Sequence, residues 1–322
     1  MGYISKENRI FIAGHEGMVG SAIARNLKNN GYLNLLTAKK TELDLTDSVK
    51  VKSWYKENKP DIVIIAAAKV GGILANSSFP TQFLLDNLKI QNNLIEGAWK
   101  NSVTRLLFMG SSCIYPKFAS QPIKEESLLT DSLETTNQWY AIAKIAGIKL
   151  CEALNLEYGF DAISLMPTNL YGPGDYYHPE KSHVLPALID KFDRAAKNNL
   201  KEVVCWGSGS VYREFLYVDD LAEACKFVLE NWKPFKGEIK YLNVGTGKDM
   251  KIKQIAELIA KKCGFKGKIV WDLSKPEGTP RKQLDVTKIM NLGWKPKISF
   301  DEGLNLTIKN FRYLKNKNMV RQ

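Results

Sequence analysis

The chain has 322 residues, 44% of them hydrophobic and 25% charged, a balance that excludes a disordered polymer and suits one core with an appended lobe. No apolar run reaches the roughly 18 residues a membrane helix needs, and the opening stretch with Lys6, Glu7, Asn8 and Arg9 lacks a signal peptide's apolar centre, so a cytoplasmic location is expected. The net charge of +12 is spread as lysines along the whole chain rather than massed in a tract, which predicts a solvated basic surface with no nucleic-acid partner.

In chain order, Arg9–Ala13 is a short apolar run ending in glycine, Met18–Asn30 has helical spacing, and Leu33–Thr37 reads as a second strand. A helix over Val49–Asn58 closes at Lys59-Pro60, and the continuous apolar run Ile62–Ala68 predicts a strand covered on both faces. Thr81–Trp99 is a long helix, Arg105–Gly110 a strand, Trp139–Tyr158 a helix and Ala162–Met166 a strand. This alternation predicts an α/β fold, a doubly wound parallel sheet of Rossmann type over residues 1–166.

After Pro167 the rhythm loosens. Pro173, Gly174 and Pro179 punctuate a loop, and a helix runs from His183 to Asn198. Short strands at Glu202–Trp206, Glu214–Tyr217, Tyr241–Val244 and Lys268–Trp271 alternate with helices at Asp219–Asn231, Lys253–Lys262 and Phe300–Leu314. Residues 167–322 are expected to form a smaller substrate-binding lobe that partly re-enters the core.

Gly14-His-Glu-Gly17-Met-Val-Gly20 lies between the first strand and the first helix, where glycines let the backbone approach a pyrophosphate resting on the helix N-terminus. At the end of the second strand, Thr37-Ala38-Lys39-Lys40 offers lysines for a 2′-phosphate and no acid for a ribose hydroxyl, which favours NADP(H).

Tyr140 and Lys144 share one face of a predicted helix, and an ammonium beside a phenol is expected to lower the phenol's pKa. Ser111 and Ser112 follow an apolar strand upstream, where a hydroxyl can share a substrate carbonyl with Tyr140. Five cysteines, Cys113, Cys151, Cys205, Cys225 and Cys263, are scattered and never spaced as C-x-x-C. The three histidines, His15, His178 and His183, form no ligand pair, so neither a disulfide framework nor a metal site is expected.

From Ile10 to Phe311 the chain resembles the GDP-L-fucose synthase family of extended short-chain dehydrogenases. The strings that carry the likeness include Ala13-Gly-His-Glu-Gly-Met-Val-Gly-Ser21, Gly110-Ser-Ser-Cys-Ile-Tyr-Pro116, Tyr140-Ala-Ile-Ala-Lys144, Ser182-His-Val-Leu-Pro186, Arg213-Glu-Phe-Leu-Tyr-Val-Asp-Asp220 and Lys275-Pro-Glu-Gly-Thr-Pro-Arg-Lys282. The resemblance implies NADPH-dependent C4 reduction of a GDP-linked 4-keto-6-deoxy sugar after epimerisation at C3 and C5. It assigns catalysis to Ser111, Tyr140 and Lys144, with Cys113 and His183 as the epimerisation acid and base. It places the cofactor against Gly14, Gly17, Met18, Val19, Gly20, Lys39, Lys40, Ala67, Tyr140, Lys144, Pro167, Asn169, Leu170 and His183. The sugar nucleotide falls to Ser112, Asn169, Lys191, Trp206, Arg213 and Glu277, and a homodimer through the helix after Asn137 is implied.

The chain departs from bacterial members at Glu16, where they carry arginine. It departs again at Gln138-Trp139, where they tend to show Glu-Pro, and at Tyr176, where they have asparagine. The last three flank the sugar and point to a variant of the hexose, with a heptose as the leading candidate. A nucleotide-sugar 4-epimerase with tightly bound NAD and a non-catalytic dinucleotide-sensing regulator remain alternatives on the same fold.

Overall fold

The computed structural model describes residues 2–178, 182–235, 237–275 and 277–321. Its first half follows the expected alternation. In order come β1 (Ile10–Ala13), α1 (Met18–Asn29), β2 (Leu35–Leu36), α2 (Ser48–Asn58), β3 (Ile62–Ile65), α3 (Ile73–Ser78), α4 (Pro80–Lys100), β4 (Arg105–Met109), α5 (Gln138–Tyr158) and β5 (Ala162–Pro167). The apolar runs of β1, β3, β4 and β5 are buried along their whole lengths, as strands covered on both faces must be.

Beyond β5 the elements shorten: β6 (Asn169–Tyr171), α6 (Val184–Lys197), β7 (Glu202–Trp206), β8 (Tyr212–Tyr217), α7 (Val218–Asn231), β9 (Tyr241–Val244), β10 (Asp249–Lys251), α8 (Ile252–Cys263), β11 (Lys268–Asp272), β12 (Arg281–Lys282), α9 (Thr287–Asn291) and α10 (Phe300–Asn316). Pro179, one of the residues expected to punctuate the loop ahead of α6, lies outside the described residues.

The main sheet runs β2-β1-β3-β4-β5-β9, and every pairing in it is parallel. Successive side chains of β4 show that helices cover both faces. Phe108 packs on Gly147 of α5, and Met109 reaches Cys225 of α7 at 3.8 Å. The fold is therefore a doubly wound α/β sheet, and its strand order reverses between β1 and β3, where such sheets open a ligand crevice. The second strand is shorter than the expected Leu33–Thr37 because it is the sheet's edge, held only by β1, with Leu33 74% exposed.

Two apolar cores result. The first surrounds the main sheet and takes in Leu221, Val228 and Trp232 from α7 and its end, the β9 residues, and Ile289 and Trp294. The second joins α6, α8 and α10 through residues such as Ile189, Phe192, Ile259, Leu304 and Phe311. Between them β8 carries β10 antiparallel on one side and β12 parallel on the other, with β6 also paired to it. A cleft is thus bordered by the C-terminal ends of the main strands and by the β8 assembly.

Candidate active site

The glycine turn fits an anion. Gly14 has φ +88° and sits so close to the end of β3 that a Cβ would lie 2.7 Å from the backbone of Ala67. At Gly20 a Cβ would fall 2.2 Å from the carbonyl oxygen of Gly14, so the turn closes only without side chains there. α1 begins at Gly17 with no side-chain cap and no acid in its first turn, which leaves its N–H groups for a ligand. By contrast α2 is capped by Asp47, whose carboxylate accepts from Val49 N and Lys50 N.

Met18 and Val19 are partly buried beside this turn, and Glu16 is exposed on it. Lys39 and Lys40 are exposed beyond β2, where the Glu42 side chain accepts from Lys39 N at 2.9 Å. Sequence reasoning missed Asn87. It is buried in α4 and holds the segment after Ala67 by accepting from Lys69 N (2.8 Å) and donating to Lys69 O (3.0 Å).

Ser111 follows β4, and its hydroxyl accepts from Cys113 N at 3.2 Å, starting a single 3-10 turn that buries Ser112. The Ser111 side chain also faces the Tyr140 phenol. Lys144 sits one turn along α5, with its Nζ 5.8 Å from the Tyr140 ring centroid and donating to Met109 O at 2.7 Å. Burial pulls the Lys144 ammonium down to about 7.

The expectation for the phenol is corrected. Burial first, and the neighbouring Cys113 second, push Tyr140 well above an ordinary tyrosine, with the Ser111 side chain opposing. Residue spacing reports the charge of Lys144 and not the dehydration of the site, and here dehydration wins.

Cys113 is half-buried beside this pair. Burial alone would raise its thiol, yet the ammonium of Lys282, the Ser111 side chain and Arg213 together hold it below the usual thiol range. The other four cysteines are buried, and burial pushes them up: Cys151 to about 12, Cys205 and Cys263 to about 11, and Cys225 in the same direction. Lys282, on β12, places its Nζ 3.3 Å from Cys113 Sγ.

His183 precedes α6 as its N-cap residue and remains reached by solvent at the cleft mouth. Dehydration within the cleft and the charge of Lys282 hold its imidazole below the usual range. Lys282 thus contacts Cys113, and its charge also acts on His183. Its side chain belongs to a two-residue strand, too short to show any period.

A second constellation lies on the smaller lobe. β7 alternates strictly, with Val203 and Cys205 buried and Trp206 38% exposed, so the indole is presented outward and does not pack in the core. Lys191 and Lys275 hold their Nζ atoms 5.7 and 5.6 Å from its ring centroid. Lys191 also donates to Val204 O at 3.1 Å.

Arg213 on β8 donates to the Glu277 carbonyl at 2.9 Å, and the Glu277 carboxylate accepts from both the backbone and the hydroxyl of Ser208. Asn169 donates to Glu214 O at 2.8 Å from β6, between Pro167 at the end of β5 and Leu170. An aromatic face, two ammoniums and a guanidinium suit a nucleoside diphosphate.

Residues 10–245 match the family model "NAD dependent epimerase/dehydratase family". GDP-L-fucose synthase 1 of Arabidopsis thaliana is 54% identical over 97% of this chain and 94% of its own length. GDP-L-fucose synthase of Escherichia coli (strain K12) is 51% identical over 95% of this chain and 97% of its own. Among solved structures, a GDP-mannoheptose C4 reductase from Campylobacter jejuni with NADP bound superposes with a TM-score of 0.87 at 35% identity, covering 96% of this chain and 99% of that one.

Proposed function

The chain belongs to the NAD dependent epimerase/dehydratase family, among its GDP-L-fucose synthases, and from that premise we propose that it reduces C4 of a GDP-linked 4-keto-6-deoxy sugar with NADPH after epimerisation at the flanking carbons. One observation carries the proposal. Ser111 and Cys113 stand on a single turn, with the Tyr140 phenol facing the first and Lys282, whose charge also acts on His183, bonded to the second. A carbonyl donor pair and a base–acid pair thus share one cleft.

The GDP end rests on the indole of Trp206 and on Lys191, with Arg213 toward the pyrophosphate and the Glu277 loop beside it. The 4-keto oxygen meets the hydroxyls of Ser111 and Tyr140. Cys113 as thiolate removes the proton from C3 or C5, leaving an enolate that these two hydroxyls hold at O4. His183 returns a proton from the opposite face. The glycine turn, the open N-terminus of α1 and the lysines after β2 would hold NADPH, which would supply a hydride for C4. Tyr140, which keeps its proton at neutral pH, gives that proton to O4, and Lys144 binds the nicotinamide ribose.

A heptose is the second reading of the sugar. It is supported by Tyr176, which stacks on His178 at 5.9 Å and 17° and carries a hydroxyl for an added CH–OH group, and by the match to a heptose C4 reductase. The cofactor is assigned to residues 1–166 and the sugar nucleotide mainly to residues 167–322, of which α7, β9 and α9 add residues to the first core.

Among the described residues no helix is long and apolar enough to cross a membrane, and a cytoplasmic location is proposed. A homodimer is proposed through the packed helices α4 and α5, whose outer faces expose Leu85 and Ile142. Sedimentation at twice the 36.3 kDa chain mass checks it.

The test of the activity is a panel of GDP-4-keto-hexoses and heptoses with NADPH in D₂O, the products read by mass spectrometry and NMR. The expected result is stoichiometric NADPH consumption with deuterium at C3 and C5. Turnover with catalytic NAD and no net NADPH use would overturn the reductase, and hydride transfer without wash-in would remove the epimerisation.

A further inference from the structure

We propose that Lys282 is the positioning residue of the epimerisation: its ammonium, in direct contact with the sulfur, holds Cys113 as the thiolate base. The inference rests on the activity proposed above and deepens it, because it names the group that prepares the base of the proton-transfer pair before substrate arrives.

The geometry is that of a placed charge, not a surface lysine in passing contact. Lys282 Nζ lies 3.3 Å from Cys113 Sγ, and the residue is half-buried. Its backbone is fixed on two sides. On one, β12 pairs with β8 so that Lys282 stands opposite Arg213, and two residues on, Leu284 N donates to the buried Glu214 carboxylate at 2.8 Å.

On the other side, the strand is stitched to the segment downstream of Cys113 itself. Ile123 N donates to Gln283 O at 2.8 Å, Asp285 N to Ile123 O at 2.8 Å, and Gln283 N to the Gln121 side chain at 3.0 Å. The neighbouring Arg281 is tied to Asp249. The ammonium and the thiol are thus held in register by the same short stretch of chain.

Among the described residues no carboxylate lies within ion-pair reach of Lys282, so the thiolate is the counter-charge this ammonium has. The groups that face Cys113 come from every packed element: Ser111 from its own turn, Tyr140 from α5, Arg213 from β8 and Lys282 from β12. Two of the four are cations, and of these Lys282 makes the direct contact. The charge of Lys282 also acts on His183, at the start of α6.

Each half-reaction balances without a redox partner. The C–H bond breaks as the S–H bond forms, the electron pair moves to O4, and an N–H bond of the imidazolium is exchanged for the new C–H bond. Thiol and imidazole then return to their starting states by exchange with water. A positive charge in contact with the sulfur favours loss of the thiol proton, which prepares the thiolate before the C–H bond is broken.

The experiment measures iodoacetamide alkylation of the full chain against pH, with Cys113 followed by peptide mass spectrometry. The wild type is expected to react half-maximally below the ordinary thiol value of about 8.5. In Lys282→Met the profile should move upward by about one unit, slowing the reaction at neutral pH by about tenfold, and Lys282→Arg should restore it. Deuterium wash-in at C3 and C5 should fall and recover in parallel.

A wild-type profile at the ordinary value overturns the proposal whatever the variants do. So does an unchanged profile in a Lys282→Met protein that melts like the wild type. A shifted alkylation profile without any wash-in in the wild type would instead fell the proposed activity and leave the Lys282–Cys113 pairing standing.

Discussion

The two sets of groups that meet at the sugar are built in opposite ways. Ser111, Tyr140 and Lys144 come from the end of β4 and one face of α5, two neighbouring parts of the parallel sheet. Cys113 starts from the same turn, but its partners arrive from elsewhere, Lys282 on β12 and His183 ahead of α6, on segments gathered around β8. The reducing set therefore depends on local geometry that a strand and a helix impose. The epimerising set depends on the docking of the smaller assembly onto the sheet, and that arrangement should respond to changes far from the thiol.

The largest expected effect tests the independence of the two sets. Tyr140→Phe removes the proton donor to O4, and C4 reduction should fall by at least about 10²-fold, the usual scale for a general acid, with NADPH binding retained. Ser111 still reaches the enolate oxygen, so wash-in of deuterium should fall much less. Steady-state reduction and NMR exchange on the same preparation measure both. Equal losses would mean that the two sets act as one unit.

Glu214→Gln is the converse test. This carboxylate is fully buried on β8 and accepts from Thr246 N (2.5 Å), Gly247 N (2.8 Å) and Leu284 N (2.8 Å), which ties β12 to the turn after β9. An amide cannot accept with both ends, so at least one buried N–H loses its partner at about 1–3 kcal/mol. Thermal unfolding should register that loss, and exchange at C3 and C5 should drop more than reduction does. A variant that loses both activities in proportion would place Glu214 under the whole cleft rather than under the Lys282 strand.

The same contrast explains what could be read from the residues alone. The parallel sheet was legible because buried strands and long helices repeat a strong pattern, and Tyr140 and Lys144 because four-residue spacing has a fixed meaning on a helix. The strands β6, β10 and β12 have two or three residues each, too few for a period, and their positions follow from pairing with β8. Lys282 stood in a string that could be quoted without revealing its role, since nothing local ties it to Cys113. The phenol of Tyr140 departs from its sequence expectation for a related reason: charge proximity can be inferred from spacing, whereas dehydration depends on everything packed around the group.

The smallest expected effect lies at the cofactor end, where a local turn meets a surface charge. Glu16 is exposed on the turn between β1 and α1, beside N–H groups that no side chain caps, and Lys39 and Lys40 are exposed beyond the neighbouring strand. A 2′-phosphate there would be drawn by the two lysines and opposed by the one carboxylate, so the wild type should prefer NADPH to NADH by a modest margin. Glu16→Arg turns the repulsion into attraction. Because all three groups are solvated, the gain should be on the order of 1 kcal/mol, about fivefold in the ratio of kcat/KM values, and should shrink as salt is raised. Titrating both cofactors at two ionic strengths measures it. A wild type that prefers NADH would show that the lysines after β2 are ordinary surface residues.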